Sequence, residues 1–218
     1  MRRPLNFLSV RDLARVTEST IAHYNESTHA FWKGTKDHDV SQNIEAFLSH
    51  IEGTPPFKVL DLGCGPGRDL LAFRAAGHDA TGLDGAENFV KMARQRSGCK
   101  VLHQNLLQLE LAQESFDGIY ANATLFHVPT QELPRVLLAL RGALKPRGVL
   151  FASNPRGPDI EGAQNDDRYG AYLRLETWDG YLEDAGFEQL EHFYRPAGRP
   201  LVQQPWLATV YRRAAAKK

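Results

Sequence analysis

The spacing of apolar side chains changes character near residue 57. Before it the period is helical. Ser9 is a candidate N-cap, and Val10, Leu13, Ile21 and Tyr24 follow in a patchy stripe that predicts a helix over about Ser9–Trp32. So broken a stripe suits a helix lying over a site rather than inside a core. The polar run Lys33–Gly34–Thr35–Lys36–Asp37–His38–Asp39 predicts a loop. A second helix begins at about Ser41, with Ile44, Phe47, Leu48 and Ile51 on one face, and Gly53–Thr54–Pro55–Pro56 ends it. From Phe57 onward short apolar runs alternate with helical stripes. Strands are predicted at Phe57–Asp61, Asp79–Leu83, Lys100–His103, Phe116–Ala121 and Val149–Ser153. Helices are predicted at Asp69–Ala76, Glu87–Gln95 and Leu133–Lys145, the last with Leu133, Val136, Leu137, Leu140 and Leu144 in register. An irregular stretch then leads to a helix at Thr177–Ala185, closed by Gly186, and to strands at Glu188–Tyr194 and Leu207–Arg212.

Alternating strands and helices predict an α/β fold, a doubly wound sheet with helices on both faces and ligands beyond the carboxyl ends of its strands. Two closing strands with no helix between them predict a terminal antiparallel hairpin. Residues 1–56 show no shift in composition, so they are expected to form an N-terminal helical cap built onto a sheet domain of residues 57–218. A length of 218 residues with 42% hydrophobic content suits one such domain and covers both faces of its sheet.

Lys and Arg total 26 against 26 Asp and Glu, so no global field attracts nucleic acid and a small molecule is the expected partner. The two cysteines, Cys64 and Cys99, form neither a disulfide framework nor a metal-binding spacing, and no metal is expected. No apolar run follows Met1–Arg2–Arg3–Pro4, and none is long enough to cross a bilayer; a cytoplasmic protein without membrane contact is expected.

The chemistry concentrates in Val59–Leu60–Asp61–Leu62–Gly63–Cys64–Gly65–Pro66–Gly67–Arg68–Asp69. A strand ending in an acid, a glycine turn and a helix start together make a cofactor cradle. A dinucleotide fingerprint needs Gly-x-Gly-x-x-Gly, whereas Arg68 occupies the third-glycine place here. Asp61, two residues ahead of the first glycine, would repel a pyrophosphate but pair with an α-ammonium. Asp84 closes the second strand about twenty residues after the turn, where a carboxylate can accept both hydroxyls of a ribose. Gly85 and Ala86 leave room beside it, and Asp84 would equally serve as a cap for the following helix.

In these residues the sequence resembles motif I of the class I S-adenosylmethionine (SAM)-dependent methyltransferases, in the small-molecule branch (methyltransferase type 11 and related enzymes). The resemblance covers roughly residues 20–212. It implies a Rossmann-like seven-stranded sheet with the last strand antiparallel, SAM as cofactor and S-adenosylhomocysteine as product. Asp61, Gly63, Cys64, Gly65 and Arg68 would hold the methionyl end, with Asn122 and Ala123 beside it. Asp84, Gly85 and Ala86 would hold the ribose, and Gln104, Asn105 and Leu106 the adenine. Relatives usually carry Asp where Asn105 stands; Asn keeps an acceptor oxygen without the charge, and a turn-forming Asn is the other reading.

His127 stands where relatives often carry a histidine near the acceptor. It reads as a general base or as a histidine bonded beneath the next helix. Tyr24, Trp32 and Thr35 resemble the segment that closes over SAM and offers an aromatic face to a sulfonium, with ordinary cap packing as the alternative. His38 reads as an acceptor ligand or as part of the turn leading into the second helix. A variable insert at about residues 154–175 would build the acceptor site, Arg156 and Arg168 binding a carboxylate and Tyr169 and Tyr172 stacking on a planar ring. Solvated loop charges are the other reading of the two arginines. The expected function is methyl transfer from SAM to a small molecule by in-line displacement. The alternatives are an NAD-linked oxidoreductase, opposed by Asp61 and Arg68, and a non-catalytic SAM-binding or partner-binding module.

Overall fold

The strands predicted from residue 57 onward assemble into a single seven-stranded sheet in the computed structural model, which describes residues 2–163 and 168–215. In chain order they are β1 (Lys58–Leu62), β2 (Asp79–Asp84), β3 (Lys100–His103), β4 (Phe116–Asn122), β5 (Leu144–Pro155), and then β8 (Phe187–Arg195) and β9 (Trp206–Arg213). Two further strands, β6 (Ile160–Ala163) and β7 (Tyr169–Tyr172), pair only with each other, antiparallel. The large sheet runs β3-β2-β1-β4-β5-β9-β8. β9 is antiparallel to both its neighbours, and the other six strands are parallel. The order reverses between β1 and β4, which opens a crevice at their carboxyl ends.

Helices α3 (Ser41–Ser49), α4 (Arg68–Ala75) and α5 (Glu87–Ser97) cover one face, where Phe47, Phe73, Val90, Tyr120, Phe151 and Val210 form a buried cluster. Helices α6 (Leu133–Ala143) and α7 (Leu175–Asp184) cover the other, burying Val136, Leu137, Leu140, Trp178, Tyr181 and Leu182 against Leu60, Ile119 and Leu150. Phe47 is fully buried against sheet residues, so α3 belongs to the core layer as much as to the N-terminal segment. Among the described residues no helix is long and apolar enough to cross a membrane.

Three expectations need correction. The single helix over Ser9–Trp32 is two: α1 (Val10–Glu26) and α2 (Thr28–Thr35). Asn25 explains the break, because its side-chain oxygen accepts from the Asn88 amide and its carbonyl from Asn88 Nδ2, at 2.8 and 3.0 Å. Helix α6 stops at Ala143 because Leu144 turns extended to pair with Phe116, so β5 starts before Pro146 and Gly148 rather than after them. The stretch between β5 and α7, expected to be irregular, holds the β6–β7 pair; residues 164–167 of that stretch lie outside the described residues.

Ser9 caps α1 as expected, its Oγ accepting from the Asp12 amide at 3.1 Å and donating to Asp12 Oδ2 at 2.7 Å. Ser9→Ala should cost about 1 kcal/mol of stability. Equilibrium denaturation would read the loss, and an unchanged midpoint would show that this first turn frays in the native protein.

Candidate active site

The turn after β1 is held against β2: the amides of Gly63 and Cys64 both donate to the Leu83 carbonyl, at 2.7 and 3.1 Å. Gly63 and Gly65 have φ of 69° and 51°, the left-handed region that side chains resist. A Cβ on Gly63 would overlap the Thr124 side chain, and one on Gly65 would stand 3.7 Å from Phe31 and 4.0 Å from Phe89. Both glycines border a cavity of about 620 Å³ that lies over the carboxyl ends of the strands, beneath α1 and α2.

Asp84 ends β2 at the edge of this cavity. Its Oδ2 accepts from the Gly65 amide at 2.9 Å and its Oδ1 from the Ala86 amide at 2.8 Å, so the carboxylate also organises the turn. Burial pushes its carboxyl up to about 6, against the lowering effect of the Ala86, Gly65 and Gly85 amides. Asp61 is 2% exposed and lies behind the cavity rather than on it. Its Oδ2 has no partner among the described residues. Burial first, then the nearby Asp69 carboxylate, raise it well above the usual carboxylate range, while Arg68 opposes them.

Asp69 is itself held by a fork. Arg68 Nε and Nη2 donate to its two oxygens at 2.6 and 2.9 Å, and Asn122 Nδ2 adds a bond of 3.2 Å. The chain continues outward on both sides, from Arg68 Nη1 to the Thr35 carbonyl (3.1 Å) and from Asn43 Nδ2 to Asn122 Oδ1 (3.1 Å). Polar links thus tie α2, α3 and α4 to the end of β4.

On the opposite wall the rings of Tyr24 and His127 meet. His127 Nδ1 lies 2.6 Å from the Tyr169 carbonyl, which can only accept, so Nδ1 carries the proton. That leaves Nε2 as the acceptor in the neutral ring, and Tyr24 Oη donates to it at 2.8 Å. Arg168 Nη1 donates in turn to Tyr24 Oη at 3.0 Å, and its guanidinium carbon is 5.5 Å from the centre of the tyrosine ring.

Of the other residues singled out in the sequence, Trp32, Thr35, His38, Arg68, Gly85, Ala86, Cys64, Asn105, Leu106, Asn122 and Ala123 border the cavity. Some are already engaged. The face of Trp32 carries the Arg96 guanidinium at 3.7 Å, and Asn105 Oδ1 accepts from the Leu107 amide at 2.9 Å, the turn-forming role. Burial raises the Cys64 thiol well above its ordinary value, which removes it as a nucleophile.

Besides Asp61, four predicted residues do not reach the cavity. Gln104 is spent on the backbone of Glu110, accepting from its amide at 3.0 Å and donating to its carbonyl at 3.2 Å. Arg156 is turned away, donating to the carbonyls of Gln204 and Leu201 at 2.8 and 2.5 Å. Tyr169 is buried and contributes its backbone instead, its amide donating to Thr20 Oγ1 at 2.9 Å. Tyr172 packs toward Phe126, ring centres 6.2 Å apart. Phe31 and Asp69 border the cavity too, and with them residues that no motif indicates: Phe89, Arg195 and Trp206. The last two stand where β8 ends and β9 begins, at the same edge of the sheet as the glycine turn, so the sheet topology is the signal that finds them.

Residues 59–148 match the model of a methyltransferase domain family. A similar fold is found in a solved structure from Burkholderia thailandensis, 1,6-didemethyltoxoflavin-N1-methyltransferase with bound 1,6-didemethyltoxoflavin and S-adenosylhomocysteine. It superposes with a TM-score of 0.75 over 99% of this chain and 94% of that one, at 20% identity. Residues 59–148 are a methyltransferase domain of the class I SAM-dependent type. Among curated relatives, phosphoethanolamine N-methyltransferase 1 of Zea mays is 29% identical over 165 residues, 69% of this chain and 32% of that protein. Sterol 24-C-methyltransferase ERG6B of Gibberella zeae is 31% identical over 173 residues, 68% of this chain and 44% of that protein. The chain thus spans less than half the length of these two relatives.

The cradle of this domain fits the family's cofactor. Gly65 leaves open the space that a Cβ would fill, Asp84 stands at the end of β2 with a carboxylate on the cavity, and the Asp69 carboxylate, held by Arg68, borders the cavity with the unpartnered Asp61 oxygen buried behind it.

Proposed function

We propose that the protein methylates a small molecule, taking the methyl group from SAM by in-line displacement. One observation carries this reading: the glycine turn and Asp84 share a single cavity of about 620 Å³ with the Tyr24–His127 pair. That volume is in the range of small-ligand sites, roughly 300–1,000 Å³. The relatives named above act, by their names, on phosphoethanolamine, a sterol and 1,6-didemethyltoxoflavin, which supports an acceptor of that scale.

SAM supplies an activated methyl carbon whose leaving group is a neutral thioether. Asp84 would accept from the ribose hydroxyls, and Asp69, on the cavity wall, would face the α-ammonium with Asp61 behind it. Asn105 and Leu106 border the adenine, and Arg68, Asn122 and Ala123 the methionyl end. Helices α1 and α2 exclude water above them. With so good a leaving group, most of the acceleration comes from holding nucleophile and carbon in line. Where the acceptor must lose a proton, His127 Nε2 takes it through the Tyr24 hydroxyl, because Nδ1 is held protonated by the Tyr169 carbonyl.

Calorimetric titration tests the cofactor half of the reading, with S-adenosylhomocysteine expected to bind and NAD not; the opposite order would sink it. For the acceptor half, labelled methyl from SAM should appear in small molecules of a cell extract and not in its protein fraction.

A further inference from the structure

The cavity has an end that neither the cofactor residues nor the Tyr24–His127 pair occupies. Arg195, Trp206, Ser153 and Asp39 border it. Arg195 is the last residue of β8 and Trp206 the first of β9, and the two are directly opposite in the antiparallel ladder, so their side chains leave the same face as neighbours. Arg195 Nη2 donates to the backbone carbonyl of Asp39 at 2.8 Å. Its Nε is buried and has no hydrogen-bond partner among the described residues. The Asp39 carboxylate acts on it only through space. Asp39 Oδ1 is taken by the Ser41 amide and hydroxyl, at 2.9 and 2.6 Å.

A guanidinium with a buried, unpaired donor is costly until an anion completes it, and a carboxylate does so with two parallel N–H···O bonds. Two carboxylates could come here, that of SAM and one on the acceptor. Position separates them. The glycine turn follows β1, and β4, β5 and β9 lie between β1 and β8, so the strands themselves are about 19 Å apart at the usual spacing, although the Arg195 charge reaches back far enough to act on the Tyr120 hydroxyl of β4. Arg68, paired with Asp69, borders the cavity beside the turn, so the cation nearest the methionyl end is a different one.

We infer that Arg195 anchors a carboxylate of the methyl acceptor and that the Trp206 indole bears the acceptor's planar body, so the substrate class is aromatic or otherwise flat acids. This rests on the small-molecule methyltransferase reading above. The two arginines of the insert are thereby set aside as carboxylate ligands: Arg156 faces away and Arg168 is engaged with Tyr24.

The test uses the protein saturated with S-adenosylhomocysteine and two probe pairs, benzoate with benzamide and 2-naphthoate with 2-naphthamide, titrated by ligand-observed NMR. Each carboxylate should bind at least about tenfold more tightly than its amide, a difference that one charge-assisted pair supplies. Arg195→Gln should erase that preference and leave S-adenosylhomocysteine affinity as it was, and Arg195→Lys should restore part of the preference. Equal or undetectable binding of acid and amide by the wild-type protein overturns the inference without any variant. So does an Arg195→Gln protein that keeps the preference but binds S-adenosylhomocysteine about tenfold more weakly, which would give the guanidinium to the cofactor. Failure of S-adenosylhomocysteine to bind at all would instead strike the methyltransferase reading, before any acid is added.

Discussion

Asp84→Ala is expected to weaken S-adenosylhomocysteine binding by about 30- to 700-fold, the equivalent of about 2–4 kcal/mol. The figure is that of two hydrogen bonds from ribose hydroxyls to a carboxylate in a sheltered site. Part of the loss comes from the turn itself, because the same oxygens hold the Gly65 and Ala86 amides. Asp84→Asn, which keeps an acceptor but no charge, should fall between the two. The reaction to pH is a second signature. Burial raises the Asp84 carboxyl to about 6, and a bound ribose favours the carboxylate, so binding near that pH should release a proton. Affinity of the wild-type protein should therefore decline as pH falls through 6, and the decline should vanish in Asp84→Ala. For stability the sign is reversed. A carboxyl with a raised native pKa costs the folded state nothing at low pH, and the full cost is in place once pH exceeds about 6. Calorimetry in buffers of different ionisation enthalpy measures the proton, and an affinity unaffected by Asp84→Ala would take this residue out of the ribose site.

The second large effect belongs to the opposite wall. His127→Ala is expected to lower kcat on the order of 100-fold for an acceptor that loses a proton, with S-adenosylhomocysteine affinity hardly changed. Tyr24→Phe keeps the ring contacts with Phe31 and Phe89 but removes the hydroxyl that bonds His127 Nε2, and it should lower kcat in the same way. If the pair acts as one relay, the double variant loses little more than either single one. Rates are read with whichever acceptor the wild-type protein methylates from labelled SAM. Equal losses in kcat and in cofactor affinity would mark both residues as packing elements of the cavity wall.

How far the chain discloses all this depends on the distance over which each feature is decided. Strand β3 lies where its apolar run predicts, and the glycine turn is legible because strand, glycines and helix start are contiguous. The break between α1 and α2 is not, since it is made by Asn88, 63 residues away from Asn25. Polar side chains near a motif mislead for the opposite reason. Gln104 adjoins the expected adenine site but has Glu110 within reach, and Arg156 has two nearby carbonyls to satisfy. Arg195 and Trp206 carry no motif at all. They reach the cavity because β9 inserts between β5 and β8, a consequence of sheet order that no local window contains.

The N-terminal segment is mechanically divided. Phe47 roots α3 in the hydrophobic layer, whereas α1 buries only Val16 and Thr20 and meets α5 through the Asn25–Asn88 bonds. Admitting a cofactor therefore costs less by parting the polar contacts of α1 and α2 than by moving α3, which would drag Phe47 out of its hydrophobic layer and so stands as the fixed jamb of the doorway.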